Sequence, residues 1–246
     1  MKYGSDKVSF LLIDGYSVLG VTTELRDEIE ALTEEDHALG DAWVKSRYLG
    51  LKRASLEQSG FYDDAADGVH SALKDIPGVN RIVNYGVEGN LIGKAVVVWS
   101  GALQVNYQRI ASRGALHRAN ARYELSGEVE EGVILHPLTA ETEDGDTKSS
   151  PVENSGQTTN GAVIYLQATD VNFVGTLDAV QVQVEHSDDG ESWDTLGDLM
   201  TFKYHPITRR IEIPGTIKKY LAVSWQLVII ETPAPSVTFM VAAVRK

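Results

Sequence analysis

Gly15-Tyr16-Ser17-Val18-Leu19-Gly20 comes nearest to a nucleophile elbow, the sharp turn on which a serine attacks an acyl carbon. Its second glycine falls one residue late and no helical pattern follows, so a β-turn at Asp14-Gly15 accounts for the stretch better. The six histidines, His37, His70, His117, His136, His186 and His205, are widely spread, with no pair at metal-ligand spacing. Single surface or strand-end side chains explain them. Glu34-Glu35-Asp36 and Asp63-Asp64 supply the oxygens a hard cation binds, yet neither has calcium-loop spacing. Gly-rich phosphate loop, dinucleotide fingerprint and zinc-protease helix are missing from the sequence. No nucleophile, base and orienter come together, so the expectation is a protein that is not an enzyme, with no catalytic residue, cofactor or metal.

Binding chemistry is better represented. Residues 109–122 hold Arg109, Arg113, Arg118 and Arg122 with His117, a locally basic stretch. Residues 24–36 carry seven acids (Glu24, Asp27, Glu28, Glu30, Glu34, Glu35, Asp36) against the single base Arg26. Opposite charge on two separate segments suits head-to-tail pairing between copies, with Glu28, Glu30, Glu34 and Glu35 facing Arg109, Arg113, Arg118 and Arg122. A third candidate is the run from Glu185 to Leu196, an alternating strand entering Asp189-Gly190 and leaving through Trp193, as in a tight hairpin. It resembles the strand–Ser-x-Asp-Gly-x-Ser/Thr-Trp hairpins of discoidin-like and sialidase-type modules, with a turn one residue shorter. Trp193 could stack on a sugar, but packing at the sheet edge beside Leu196 is the expected role.

The elements that must position these residues are mostly strands. Ala102 to Gln108 and Ala179 to Glu185 alternate apolar and polar residues, the mark of a strand with one wet face. Further strands are expected over 9–13, 16–23, 47–58, 80–86, 91–99, 116–126, 161–169, 199–204, 210–213, 218–229 and 236–244, most bounded by Gly, Pro, Asn or Asp. One helix is expected, capped by Asp63-Asp64, with Ala65, Ala66, Val69, Ala72, Leu73 and Ile76 on one side and Pro77-Gly78 as its stop. Residues 24–46 read as a long acidic loop. Residues 139–160, with only Ala140 and Val152 apolar, read as a polar linker.

Composition narrows the classes. The 246 residues suffice for one large core or two moderate ones, at roughly 100–200 residues per domain. A net charge of −13, spread almost evenly over the two halves, opposes tight binding to nucleic acid, which needs a Lys/Arg face. Zero cysteine excludes disulfides, Cys–zinc sites and thiol nucleophiles. No apolar stretch approaches the ~20 residues of a membrane span, and only Ser9 to Ile13 follow the charged start, so neither membrane nor secretory signal is expected.

Several stretches resemble structural proteins of tailed bacteriophages: Leu12 to Thr23, Glu30 to Glu35, Ser59 to Asp64, Ala121 to Gly127, His186 to Gly190 and Gly215 to Tyr220. The resemblance is to the tail tube (major tail) proteins of long-tailed phages. It implies a mainly β fold, a tail-tube-like sandwich or barrel over 1–138 with one flanking α-helix. A second β-sandwich-like domain would cover 161–246. It also implies a virion structural protein assembled in the host bacterial cytoplasm, whose rings of six β-domains stack into a tube. In that family a long loop, here 24–46, reaches the adjacent ring. An acidic lumen lets genomic DNA pass without specific binding, and other tail proteins are partners. If 161–246 is a duplicate tube domain, three subunits complete a ring; if it is an outward Ig- or discoidin-like module, six do. The alternatives are a carbohydrate-binding surface module centred on Trp193 and a capsid decoration protein.

Overall fold

The turn expected at Asp14-Gly15 is present. In the computed structural model both residues take left-handed backbone, φ 51° and 86°, and return Leu11–Ile13 (β1) directly into Tyr16–Ser17 (β2). This is the two-residue turn whose twist suits a hairpin. The structure describes residues 7–35, 46–65, 67–75, 78–172, 179–228 and 235–246. After β2 come Thr22–Glu35 (β3), Ser46–Phe61 (β4), the helix Val69–Leu73 (α1), Asn80–Gly86 (β5), Ala95–Ile110 (β6), Arg118–Leu125 (β7) and Val129–Glu141 (β8). Gly145–Asp146 (β9), Val152–Glu153 (β10), Ala162–Asn172 (β11), Ala179–Ser187 (β12), Asp194–Phe202 (β13), Ile207–Ile213 (β14), Tyr220–Val228 (β15) and Ser236–Arg245 (β16) complete the chain. The protein is mainly β, with antiparallel pairing throughout and one short helix, as the strand pattern indicated.

Among the described residues the strands form two sheets. Eleven run in the order β14-β11-β16-β8-β6-β5-β1-β2, with β7, β4 and β3 branching from β6. The branch exists because β6 is long: Ala95 to Trp99 pairs β8, while Ala102 to Ile110 pairs β7. The second sheet, of five strands, is β10-β15-β12-β13 with β9 added against β15.

Packing follows from the side-chain pattern. Ile164, Leu166, Phe239 and Val241 point from the large sheet toward Val180, Val182, Val184 and Val223 of the small one. The opposite side of the same strands, Val163, Tyr165, Met240 and Ala242, packs on Phe10, Leu12, Val96, Val98 and Ile134. Covered on both faces, β11 and β16 carry nearly continuous apolar runs, whereas β12 alternates because its outer face is wet. A third cluster, around Trp99, Tyr123, Leu56 and Leu73, lies under α1.

Three expectations need correction. The described part of the 24–46 loop is strand: residues 24–35 lie in β3 and Ser46 opens β4, while 36–45 fall outside the described residues. Acidic side chains do not prevent an extended backbone there, because β3 is an edge strand whose side chains largely reach solvent. The helix is one short turn, Val69–Leu73, capped by Gly68 without a side-chain bond. Asp63 instead closes a turn: its Oδ1 accepts from Ala65 N–H at 3.0 Å, and its carbonyl accepts from His70 N–H at 2.9 Å. Ala66, Ile76 and Pro77 of the expected helix are outside the described residues. Residues 139–160 contain the end of β8, β9 and β10, with Thr147 and Val152 buried. Backbone pairing fixes this segment where apolar burial could not. Thr147 N–H donates to the Val223 carbonyl at 2.8 Å, and Val223 N–H to Thr147 Oγ1 at 2.9 Å. β8 itself escapes a periodicity reading because Gly132 and Pro137 interrupt it. A Cβ at Gly132 would stand 2.6 Å from the Ala243 carbonyl oxygen, so only glycine lets β8 close on β16.

Candidate functional site

The β3–β4 pair outruns the sheet that carries it. β7 pairs β4 only over Ser55 to Phe61, so among the described residues Ile29–Glu35 and their partners in β4 have no third strand. At 3.3 Å per residue that free ribbon reaches roughly 20 Å past the sheet. Its root is pinned by Tyr85, whose hydroxyl donates to Asp27 Oδ2 at 2.5 Å. Burial, reinforced by the Asp27 carboxylate, drives the Tyr85 hydroxyl well above the ordinary tyrosine range, so it remains a donor.

Between Ala31/Lys52 and Thr33/Tyr48 the register slips, leaving Leu49, Gly50 and Leu51 bulged from β4. Gly50 takes φ 79°, and a Cβ there would meet nothing within 4 Å, so glycine is needed for its backbone conformation and not for space. The bulge holds Leu49 and Leu51 47% and 61% exposed, and Ile29 nearby is 55% exposed. These apolar side chains went unnoticed in the sequence, although Leu-Gly-Leu inside a charged strand is the signal that marks them.

The acidic candidates divide by what they already touch. Glu30 is paired with Arg53 at 2.5 Å. Glu28 and Glu34 make no ion pair among the described residues; Glu28 lies across from Ser55 and Glu34 across from Arg47. Glu35 stands across from Ser46.

The basic candidates lie at the other end of the same strands. β3 begins beside Gly60, and β7 begins with Arg118 beside Phe61 and Ile110. Arg109, Arg113 and Arg118 therefore cluster around the β6–β7 tip, exposed and without ion pairs among the described residues. Arg122 sits further along the outer face, held by Glu124 at 2.7 Å and near Glu57 at 3.9 Å. Aromatic rings floor the tip. His70 and the Tyr107 hydroxyl share a hydrogen bond of 2.9 Å, and Tyr62 packs 5.2 Å from His70 and 6.2 Å from His117. Burial raises the Tyr107 hydroxyl above its ordinary range. Tyr62, Arg109, Ile110, Ala111, His117 and Arg118 enclose an open pocket of about 450 Å³.

The Trp193 region is a structured turn. Asp189 Oδ1 accepts from Glu191 and Ser192 N–H, each at 2.8 Å, and Ser187 Oγ accepts from Gly190 N–H at 2.9 Å. Those donors hold the Asp189 carboxyl far below the usual carboxylate range. Trp193 is half-buried and lies outside the three core clusters. Among the described residues no three His, Cys, Asp or Glu side chains gather as a metal site, and no helix is long and apolar enough to cross a membrane.

No family model matches the chain, and no curated protein does. Among solved structures, the virion of a native gene transfer agent particle is similar over 53% of this chain and 98% of the other, at 14% identity and TM-score 0.38. The tail of an empty gene transfer agent particle with C6 symmetry gives 52% and 97%, 12% identity and TM-score 0.38. The SPP1 Dit protein, a hub adsorption protein of phages infecting Gram-positive bacteria, gives 96% and 98%, 10% identity and TM-score 0.34. At these TM-scores the likeness assigns this chain neither a family nor a role.

Proposed function

We propose that the chain is a virion structural protein, a tail tube subunit that assembles head to tail into stacked rings and has no enzymatic role. The observation that carries this is the placement of two unlike ends on one sheet: the β3–β4 ribbon, with the acids of β3 along one edge, projects from one end and the arginine tip caps the other. A contact between unlike ends of identical subunits does not close on itself as a twofold pair; it propagates into rings or fibres. The phage-like sequence stretches give the biological setting. A net charge of −13 supports a lumen that repels DNA and lets it slide.

Residues 1–138 would supply the tube wall. The wet outer face of β12 and β15, with Gln181, Gln183, Ser224 and Gln226, favours an outward position for the small sheet, with β11, β14 and β16 joining the wall, hence six subunits per ring. Negative-stain electron microscopy of the purified chain across rising concentration tests this. Rings or tubes are expected; a monodisperse monomer at every concentration would refute it. The partly exposed Trp193 favours one competing reading, a sugar-binding module, which requires glycan retention that Trp193→Ala abolishes.

A further inference from the structure

Independently of the assembly proposed above, we infer that the outer face of β4, β7 and β6 holds a glycan-binding cleft that takes a chain of uncharged sugars. On this side of the sheet, strand register gathers four uncharged polar side chains. Ser59 stands across from Asn120 and Asn120 across from Gln108, while Asn106 stands across from Arg122 in the neighbouring row. With Glu57 and Arg122 they line a cleft of about 270 Å³. A β-bulge builds it. The register of β6 on β7 slips between Gln104 and Asn106, so Val105 is the extra residue, Asn106 turns to solvent and Tyr107 packs toward the core. Without the slip, Asn106 would point inward and the tyrosine outward.

The cleft is equipped for hydroxyl groups. Among the described residues, Ser59, Asn106, Gln108 and Asn120 spend no side-chain hydrogen bond on the chain itself. Asn120 is central, and its Oδ1 is covered without a donor, a costly state that ends when the amide turns to meet a ligand hydroxyl. The charges, by contrast, are already used: Arg122 holds Glu124 at 2.7 Å and lies 3.9 Å from Glu57. A polyanion would need unpaired cations in the cleft. Two residues beyond Ser59 on the same face, Phe61 is 37% exposed and belongs to none of the three core clusters. A pyranose presents hydroxyls at its rim and an apolar C–H face, which match the amides and this ring. The cleft is small, so one chain should bind with a Kd on the order of 1 mM.

The test is saturation-transfer NMR and calorimetry on the full chain, with neutral oligosaccharides of glucose, galactose, mannose and N-acetylglucosamine as probes. At least one is expected to bind. N120A and Q108A should each weaken that binding about tenfold and F61A about fivefold, with unchanged circular dichroism. W193A should bind like the wild type, which separates this cleft from the hairpin. Binding should also persist in about 0.5 M NaCl, because no free charge carries it. The inference is overturned if none of the probes binds the wild type at about 10 mM, if N120A/Q108A binds undiminished, or if W193A or salt abolishes the signal.

Discussion

The packed sheets of the second half and the β3–β4 ribbon use the same residue types to opposite ends. In the former, leucine, valine and phenylalanine close between two sheets, and β11 and β16 are buried on both faces. In the ribbon, Ile29, Leu49 and Leu51 are about half exposed, with no opposing layer among the described residues. The first region is complete within one chain. On the head-to-tail proposal the second is completed by another molecule, so stability should reside in one and assembly in the other.

The widest separation between them is expected from two core-sized truncations. Phe239 is fully buried and stacked on His136 with ring centres 4.2 Å apart, so Phe239→Ala should cost about 4 kcal/mol and lower Tm by roughly 10 °C. Leu51→Ser should leave Tm within about 1 °C while weakening association; the reverse pattern would collapse the contrast. Acid sharpens the same point. Burial lowers the His136 pKa from 6.5 to about 4, so the unfolded chain binds this proton first. Stability is therefore full above pH 6.5 and is lost as pH falls toward 4, by about 3 kcal/mol in total. Glu141, 3.3 Å away and raised by its own burial, takes up a proton in the folded state as pH falls and offsets part of the loss. Urea midpoints between pH 7 and 5 should fall for the wild type and flatten for His136→Phe. An unchanged slope in that variant would assign the acid sensitivity elsewhere.

Tyr165→Phe comes next. It removes the hydroxyl that donates to buried Glu130 and accepts from Arg210 Nε at 3.1 Å, at about 1–2 kcal/mol by chemical denaturation. Gly50→Ala should cost about 1 kcal/mol, felt only in the ribbon. Global Tm should hold while amide exchange in the ribbon quickens about fivefold; uniform acceleration across the sheets would mean that the ribbon is part of the cooperative core. Smallest of all, Trp193→Ala should change stability by about 0.5 kcal/mol or less, and a drop of several degrees in Tm would place that ring in the core.

Legibility followed burial. β12 could be read because Val180, Val182 and Val184 alternate with polar residues on a half-wet strand, and the Asp14-Gly15 turn because its residues are chosen for left-handed backbone. β3 was hidden because it is a charged edge strand whose side chains largely reach solvent, so no apolar alternation marks it. β8 was hidden because Gly132 serves a close approach to Ala243, a demand set by a residue 111 positions later. The two charge groups of the candidate site were visible as composition. Their position at opposite ends of one sheet was not, since pairing register decides it, and neither was the division between free charges and those already paired, as with Glu30 and Arg122.

The most direct measurement of the head-to-tail claim exploits the lack of cysteine in the chain. A variant carrying Leu51→Cys and Ile110→Cys, oxidised at a concentration where the protein associates, should give a ladder of disulfide-linked dimers, trimers and longer species on a non-reducing gel. Each single-cysteine variant should remain monomeric. A double variant that stays monomeric, or single variants that dimerise efficiently through like ends, would contradict the account.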